Sequence, residues 1–252
     1  MLIPPDLGRL QEESLLGRTS PIVKLGVAVA WLVGLATTVR PGPPAILALI
    51  AVLAGLGLGR VAPGRLARGL APLLLAAFSI ALANLVFSGS NADPAATQLA
   101  RIGPLRLTRE AADVAIALGA RVLAIVAAGA VFAQTTDPTR LVDALVQQAH
   151  APARFAYGAL AAYQAVPRLG QDLATLRQAR RIRGLAGSWH PRLLVGLLVR
   201  ALRHADQLAL AMDARAFDSG PRTTYRPIDW TWRDPAVALG GLAILFVALR
   251  MG

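Results

Sequence analysis

The stretch that decides the fold is Ala111–Ala133, AADVAIALGARVLAIVAAGAVFA, in which Asp113 and Arg121 are the only charged residues. A helix needs roughly 17–25 mostly apolar residues to cross the hydrocarbon core of a bilayer. This stretch therefore predicts a membrane-spanning helix. A charge at the depth of Arg121 is costly and normally faces the interior of a helix bundle. We expect Arg121 to have a structural role, with Asn84 or a backbone carbonyl as its partner; a direct part in transport is the alternative.

Other long apolar stretches lie on both sides of this segment, at Ile22–Val39, Pro44–Gly59, Leu70–Phe87 and Pro235–Met251. Hydrophobic residues make up 55% of the chain and charged residues only 16%, whereas soluble domains carry about 25% charged residues. The predicted fold class is an all-α membrane protein with about five transmembrane helices. We expect three regions: an N-terminal membrane domain with four transmembrane helices (1–133), a cytoplasmic segment (134–234) and a C-terminal transmembrane helix (235–252).

The basic residues predict the orientation of these helices. The formal net charge is +12, the loop Arg60–Arg68 holds three arginines and no acidic residue, and Gln134–Arg233 holds 14 arginines against 7 acidic residues. Cytoplasmic loops of membrane proteins carry an excess of Lys and Arg. We therefore expect a multi-pass protein of the bacterial plasma membrane with a cytoplasmic N-terminus and a cytoplasmic segment 134–234. The loop Ser88–Arg109 is expected to be an exposed surface loop on the opposite side.

Local signals predict where several helices begin and how two of them pack. Ser20-Pro21, Asp137-Pro138 and Asp234-Pro235 each place a capping acceptor before a proline at the first helical position, where the missing N–H costs nothing. His190-Pro191 is a weaker version of the same signal. The glycines of Gly55–Gly59 allow membrane helices to approach closely. We expect them to contact another helix of this chain, although a second protein remains an alternative.

The cytoplasmic segment reads as two or three amphipathic helices at Thr139–Gln148, Phe155–Arg183 and Arg192–Ala214, with a kink expected at Pro167. Apolar residues of the last helix recur at three- and four-residue steps, which forms one stripe along it. That stripe has to be covered by sister helices, by the membrane surface or by another protein.

The two longer helices end in similar sequences, Arg180-Arg181-Ile182-Arg183-Gly184 and Met212-Asp213-Ala214-Arg215-Ala216. An arginine in the last turn complements the negative end of a helix, but this does not explain the small residues beside it. Small neighbours let a partner's backbone approach, and they let a guanidinium reach carboxylates or carbonyls. Arg183 and Arg215 are therefore candidate binding residues.

In their order along the chain, these features resemble the transmembrane T component of energy-coupling factor (ECF) transporters, the EcfT/CbiQ family. Ser20–Leu25 is similar to the start of the family's first span, Thr135–Pro138 to its exit from the fourth, and Val166–Leu169 to its mid-helix proline. The family's two Ala-Arg-Gly motifs map to Ile182-Arg183-Gly184 and Ala214-Arg215-Ala216. Ile182 and Ala216 depart from the family's alanine and glycine, and the second departure matters if that backbone needs a positive φ.

The resemblance implies a scaffold that has no catalytic activity of its own and needs no cofactor. Its coupling helices would dock onto two ABC-type ATPase subunits through Arg183 and Arg215, with Gly184, Ala214 and Ala216 beside them and Arg180, Asp213 and Pro167 in support. A separate small membrane protein, the S component, would bind a vitamin or a cobalt or nickel ion. ATP-driven movement of the coupling helices would reorient the S component in the lipid bilayer. No nucleic acid partner is expected.

Two alternatives come from other functional classes. A permease with its own substrate pathway often shows inverted repeats or broken spans, and no internal duplication is evident in the sequence. A membrane enzyme acting on an anionic headgroup would need a proton-transfer residue, and Asp206 and Asp213 lack an obvious partner.

Further functions are excluded by what the sequence lacks. A P-loop needs Gly-Lys followed by Ser or Thr, but the single lysine, Lys24, follows Val23 and precedes Leu25; we expect it to snorkel to the interface. The chain has no cysteine, and its three histidines lack the spacing of metal ligands, so no metal site is predicted.

Overall fold

A computed structural model of the protein describes residues 14–251 except 39, 93–95, 103–104, 186–189, 218–219, 221–222 and 225. Within these residues the chain forms nine α-helices and one β-hairpin. The helices are α1 Leu15–Arg18, α2 Pro21–Thr37, α3 Gly42–Gly57, α4 Pro63–Phe87, α5 Arg109–Thr135, α6 Pro138–Gln147, α7 Ala153–Ile182, α8 Pro191–Ala214 and α9 Arg233–Arg250. The strands of the hairpin are β1 Gln98–Ile102 and β2 Leu105–Thr108.

The described residues divide into two compact units, one formed by Val142–Ile228 and the other by residues 14–141 together with 229–251. In the second unit, which we call the membrane unit, each apolar stretch of the sequence is helical. Among the described residues, α4 and α5 are long and apolar enough to cross a membrane, and α2 and α3 are shorter apolar helices. The predicted all-α membrane class is confirmed.

Helix α5 packs against both α3 and α4, and α9 packs against α2. The approach of α3 to α5 requires glycine: a Cβ on Gly55 would lie 2.6 Å from Cγ2 of Val131. The small-residue face of α3 is therefore used within this chain, as the sequence predicted. The core of the unit is built mainly from small and branched apolar side chains, including Leu35, Leu47, Ala48, Ala51, Ala124, Ala127, Leu245 and Ala248.

The first turn of α2 is tied to two other helices. The backbone N–H of Ser20 donates to Asp234 Oδ1 at 2.6 Å, and Lys24 Nζ donates to the carbonyl of Thr135 at 2.8 Å. Lys24 is only 8% exposed, so the expectation that it snorkels to the interface is wrong. Asp234 is also buried, and its other oxygen accepts the N–H of Thr231 at 2.7 Å. It therefore does not cap α9 in the predicted way, because it is committed to Ser20 and Thr231.

Ser20 is the N-cap residue of α2, but its side chain makes no capping hydrogen bond there, so that predicted cap is wrong. The caps predicted at Asp137 and His190 are confirmed. Asp137 Oδ2 accepts the N–H of Arg140 at 3.3 Å, and His190 Nδ1 accepts the N–H of Arg192 at 3.1 Å. Both side chains satisfy a backbone donor that has no partner inside its own helix.

The segment between α4 and α5 is more ordered than the surface loop expected from its composition. After a short 3₁₀ turn at Gly89–Ala92, β1 and β2 pair in antiparallel fashion, with Arg101 opposite Arg106. The side-chain oxygen of Asn91 accepts both the N–H and the hydroxyl of Thr108 at 3.1 Å, and its amide donates to the carbonyl of Leu85 at 2.8 Å. Asn91 thus joins the end of α4 to the residue that caps α5.

Candidate functional site

The first candidate motif lies where α7 ends. Arg183 is the C-cap residue, and the chain turns at Gly184, whose φ is +69°. The N–H of Gly184 donates to the carbonyl of Arg181 at 3.1 Å, and the N–H of Leu185 donates to the carbonyl of Arg180 at 3.2 Å. This pair of hydrogen bonds is the Schellman motif, which satisfies carbonyls that the helix leaves without a partner.

The second candidate motif, at the end of α8, has the same backbone geometry. Arg215 is the C-cap residue, and Ala216 turns the chain with a φ of +54°. The N–H of Ala216 donates to the carbonyl of Asp213 at 2.9 Å, and the N–H of Phe217 donates to the carbonyl of Met212 at 3.0 Å. The arginine therefore takes the same position in both motifs, immediately before a left-handed residue.

The left-handed turn explains the residues that follow the two arginines. Glycine adopts a positive φ without steric cost because it has no Cβ. For other L-residues this conformation costs roughly 1–2 kcal/mol. Gly184 fits its position, whereas Ala216 holds the same conformation under strain. The departure from glycine noted in the sequence thus falls where a positive φ is required.

Both arginines are accessible. Arg183 and Arg215 are exposed, and two apolar side chains beside the first motif also face solvent: Ile182 is 87% exposed and Leu185 is 49% exposed. The end of α7 thus presents an arginine between two uncovered apolar side chains.

The end of α8 is supported by an aromatic contact that sequence reasoning missed. The ring of Phe217 packs edge-to-face on Tyr157 of α7, with 6.2 Å between the ring centroids and 82° between the planes. The hydroxyl of Tyr157 donates to Oδ1 of Asp143, a buried residue of α6, at 2.9 Å. Burial, together with this hydrogen bond and the negative charge of Asp143, raises the pKa of Tyr157. The one sequence feature that pointed to this contact was Asp143 itself, an acidic residue within the apolar run Leu141–Leu145.

The chain that follows α8 is fastened to the end of α6. The side-chain amide of Gln147 accepts the N–H of Ile228 at 2.9 Å and donates to the carbonyl of Arg226 at 3.0 Å. Gln148 donates to the carbonyl of Ile228 at 3.3 Å. These hydrogen bonds from the two glutamines fix Arg226 and Ile228, at the C-terminal end of the unit Val142–Ile228.

Helices α7 and α8 pack on each other. Arg200 of α8 forms an ion pair with Asp172 of α7 at 2.9 Å, and a groove of about 290 Å³, in which alanine is the most frequent lining residue, runs between the two helices. Pro167 lies within α7, which continues past it to Ile182.

Much of the apolar surface of α8 remains uncovered. Leu193 is buried, but the predicted stripe is largely exposed: the exposed fractions are 49% for Leu194, 59% for Leu198 and 56% for Leu202. Sister helices within the described residues therefore leave most of this stripe uncovered.

Arg121 of α5, the predicted polar residue within the membrane, donates from its guanidinium to the carbonyl of Thr38, the C-cap residue of α2. Asn84 donates to the carbonyl of Ile80 on its own helix. Of the two partners expected for Arg121, the backbone carbonyl is the one observed. A guanidinium at this position also complements the negative end of α2.

Within the described ranges no group of three or more His, Asp or Glu side chains could hold a metal ion. The apolar helices of the membrane unit define an integral membrane protein, and the two arginine-capped helix ends are its candidate site. A profile of the cobalt transport protein family, CbiQ, matches residues 12–225. The chain belongs to this family and is a transporter component.

Curated relatives agree with this membership. The chain is 32% identical to the energy-coupling factor transporter transmembrane protein EcfT of Limosilactobacillus fermentum, over 93% of this chain and 92% of that protein. It is 29% identical to the protein of the same name from Heliobacterium modesticaldum, over 90% and 89% of the two chains. A putative ABC transporter ATP-binding protein of Bifidobacterium longum is 28% identical over 93% of this chain, which spans only 30% of that longer protein.

Proposed function

We propose that this protein is the energy-coupling subunit of an ECF-type importer, in which α7 and α8 are coupling helices that dock onto two ABC-type ATPase subunits. Arg183 would contact one ATPase and Arg215 the other. The ATPases would hydrolyse ATP, and this chain would carry their movement to a separate S component without catalysing a reaction itself.

The observation that carries the proposal is the shared geometry of the two motifs. Two helices of different sequence end in the same pair of hydrogen bonds, with an exposed arginine at the same position. Helix capping alone does not require arginine there, because the bonds are made by backbone atoms. Two equivalent arginines suit two related binding grooves, and a fork of N–H donors suits carboxylates or helix-end carbonyls.

The exposed apolar side chains support a protein partner. Ile182 and Leu185 next to the first motif, and the uncovered stripe of α8, would be costly to leave in water. The similarity to an ATP-binding protein of Bifidobacterium longum supports an ABC-type partner.

The finer assignments belong to the same proposal. Residues 134–234 would lie in the cytoplasm, with four transmembrane helices before them and one after. The cargo, a vitamin or a cobalt or nickel ion, would be bound by the S component.

The proposal is tested by co-purification. The full-length chain, co-expressed with the ABC-type ATPase subunits of its own organism, is purified through a tag on this chain, and the retained ATPase is quantified. We expect Arg183→Glu and Arg215→Glu each to reduce retention strongly, since losing one member of a buried charge pair typically costs about 2–5 kcal/mol.

Matched controls are available on the same helices. Arg177→Glu on α7 and Arg203→Glu on α8 reverse the charge of exposed residues away from the two motifs, and we expect both to retain ATPase like the wild type. Normal ATPase retention and transport by Arg183→Glu and Arg215→Glu would contradict the proposal.

A further inference from the structure

The membrane unit contains a cleft that the proposed function does not use. It has a volume of about 300 Å³, opens to the surface of the unit and lies among α2, α3, α5 and α9. Its lining is apolar, with Val27, Ile50, Val131 and Ile244 among the larger side chains. Of the described residues that line it, Lys24 is the one that carries a charge.

Lys24 is unusual because lysine side chains are rarely buried in an apolar cleft. It is 92% buried, and its ammonium donates to the carbonyl of Thr135. An ammonium has three N–H donors, so this bond leaves two for another acceptor. Among the described residues no carboxylate lies within 4 Å of Lys24. The nearby buried carboxylate of Asp234 interacts with it through charge only and is hydrogen-bonded to Ser20 and Thr231 instead. A buried charge normally requires a paired counter-charge, and an anionic ligand in the cleft would supply one.

The charge lies at one end of the cleft. Lys24 is one turn into α2, and Thr135 is the last residue of α5, so both lie at helix ends. The cleft continues along α2 to Trp31, seven residues further, which is about 10 Å at a rise of 1.5 Å per residue. There the indole N–H is already bonded to the carbonyl of Gly241 at 2.9 Å. The ligand that fits has an acidic head and an apolar tail.

Hydrocarbon is the solvent that surrounds α2, α3, α5 and α9 in a bilayer. We propose that this cleft binds one anionic phospholipid, with the phosphate at Lys24 and an acyl chain running towards Trp31. This site is independent of the coupling motifs.

The test measures lipid retention. The full-length protein is reconstituted in nanodiscs with equal amounts of phosphatidylglycerol and phosphatidylcholine that have the same acyl chains. It is then extracted and washed in detergent, and the bound lipids are counted by native mass spectrometry. For the wild type we expect about one retained lipid per chain, with phosphatidylglycerol at least threefold preferred.

Two variants separate the head from the tail. Lys24→Met should still retain lipid but lose the preference for phosphatidylglycerol. Gly240→Leu should lose most of the lipid, because Gly240 lines the cleft and a Cβ there meets no atom within 4 Å, which lets the side chain extend into the open space. Ala54→Leu, on the α3 wall of the cleft, should have the same effect and covers the case in which Gly240→Leu fails to fold.

Arg250→Met and Gly129→Leu are the matched controls, since neither residue lines the cleft and Gly129 also has open space around it. Both should behave as the wild type. Equal retention by the wild type, Gly240→Leu and Ala54→Leu would overturn the site. An unchanged lipid preference in Lys24→Met would overturn the assignment of the headgroup. If residues that line the cleft were cross-linked to a helix of another subunit and no lipid were retained, both the lipid site and the headgroup assignment would be overturned.

Discussion

The end of α7 and the end of α8 have the same backbone geometry but differ in their support. At α7 the turn is made by glycine, and the neighbouring Ile182 and Leu185 face solvent. At α8 the turn is made by Ala216 in a strained conformation, and Phe217 is fixed against Tyr157. An aromatic contact with a neighbouring helix is thus present at the end where the local sequence is less suited to the turn.

The difference indicates that local and tertiary interactions substitute for each other. A glycine lets α7 end correctly without outside contacts, whereas α8 relies on the contact chain from Phe217 through Tyr157 to Asp143. Four measurements on the full-length protein sharpen or break this comparison. The first three follow hydrogen exchange at the amides of Leu185 and Phe217, which donate the outer hydrogen bond of each motif.

Removing the aromatic ring should have the largest effect. We expect Phe217→Ala to lower the free energy of local opening at the end of α8 by about 1–3 kcal/mol, because apolar burial and an aromatic pair are both lost. Ile182→Ala, at the exposed end of α7, should leave the exchange of Leu185 unchanged. If the two substitutions had equal effects on their own motifs, the contrast between the helix ends would be refuted.

Removing only the hydroxyl should have a smaller effect. In Tyr157→Phe the ring contact with Phe217 remains, but buried Asp143 loses a donor, and hydrogen bonds to charged groups are worth about 1.5–3 kcal/mol. Since Tyr157 is partly exposed, we expect about 1–2 kcal/mol, seen as faster exchange at Phe217 and not at Leu185. Tyr163→Phe, an exposed residue on the same helix, is the control.

Exchanging the residues of the two turns should act in opposite directions. Gly184→Ala should destabilise the end of α7 by about 1 kcal/mol, and Ala216→Gly should stabilise the end of α8 by a similar amount. The predicted result is faster exchange at Leu185 in the first variant and slower exchange at Phe217 in the second. A change of the same sign in both would show that the left-handed turns are not equivalent.

The smallest effect concerns alkaline pH. Because the pKa of Tyr157 is raised in the folded protein, folded molecules keep this proton at a pH where unfolded chains have lost it. Its contribution to stability is complete below about pH 10, the ordinary tyrosine value, and declines as the pH rises further. Thermal unfolding in detergent between pH 9 and 11 should therefore depend less on pH in Tyr157→Phe than in the wild type, while Tyr163→Phe should follow the wild type.

Much of the fold could be predicted because apolar runs and capping signals act over short distances along the chain. Each apolar stretch predicted to span the membrane coincides with a helix, and so do the three amphipathic helices predicted between the fourth and fifth stretches. The helix starts at Pro138 and Pro191 and the glycine face of α3 also agree with the sequence. The hairpin was missed because its closure depends on Asn91 contacting Thr108, a pair that composition does not reveal.

The candidate site was only partly predictable for the same reason. The similar sequences around Arg183 and Arg215 were visible, and so was the question raised by Ala216. The support of Phe217 by Tyr157 joins residues 60 positions apart, and the bond from Lys24 to Thr135 spans 111. Such contacts depend on how helices pack, which periodicity in one helix does not specify. The roles of the two arginines in ATPase binding remain predictions.

The first turn of α2 has a mechanical consequence. Ser20 is bonded to Asp234 at the start of α9, and Lys24 is bonded to Thr135 at the end of α5. The point where the chain departs for residues 138–228 and the point where it comes back are thus fastened to one helical turn. A force transmitted along the chain at either of these two points therefore acts on the first turn of α2. The two points can move apart only if one of these hydrogen bonds breaks. Residues 138–228 are thus joined to α2 at both of their ends, and the two connections are coupled to each other through that helix.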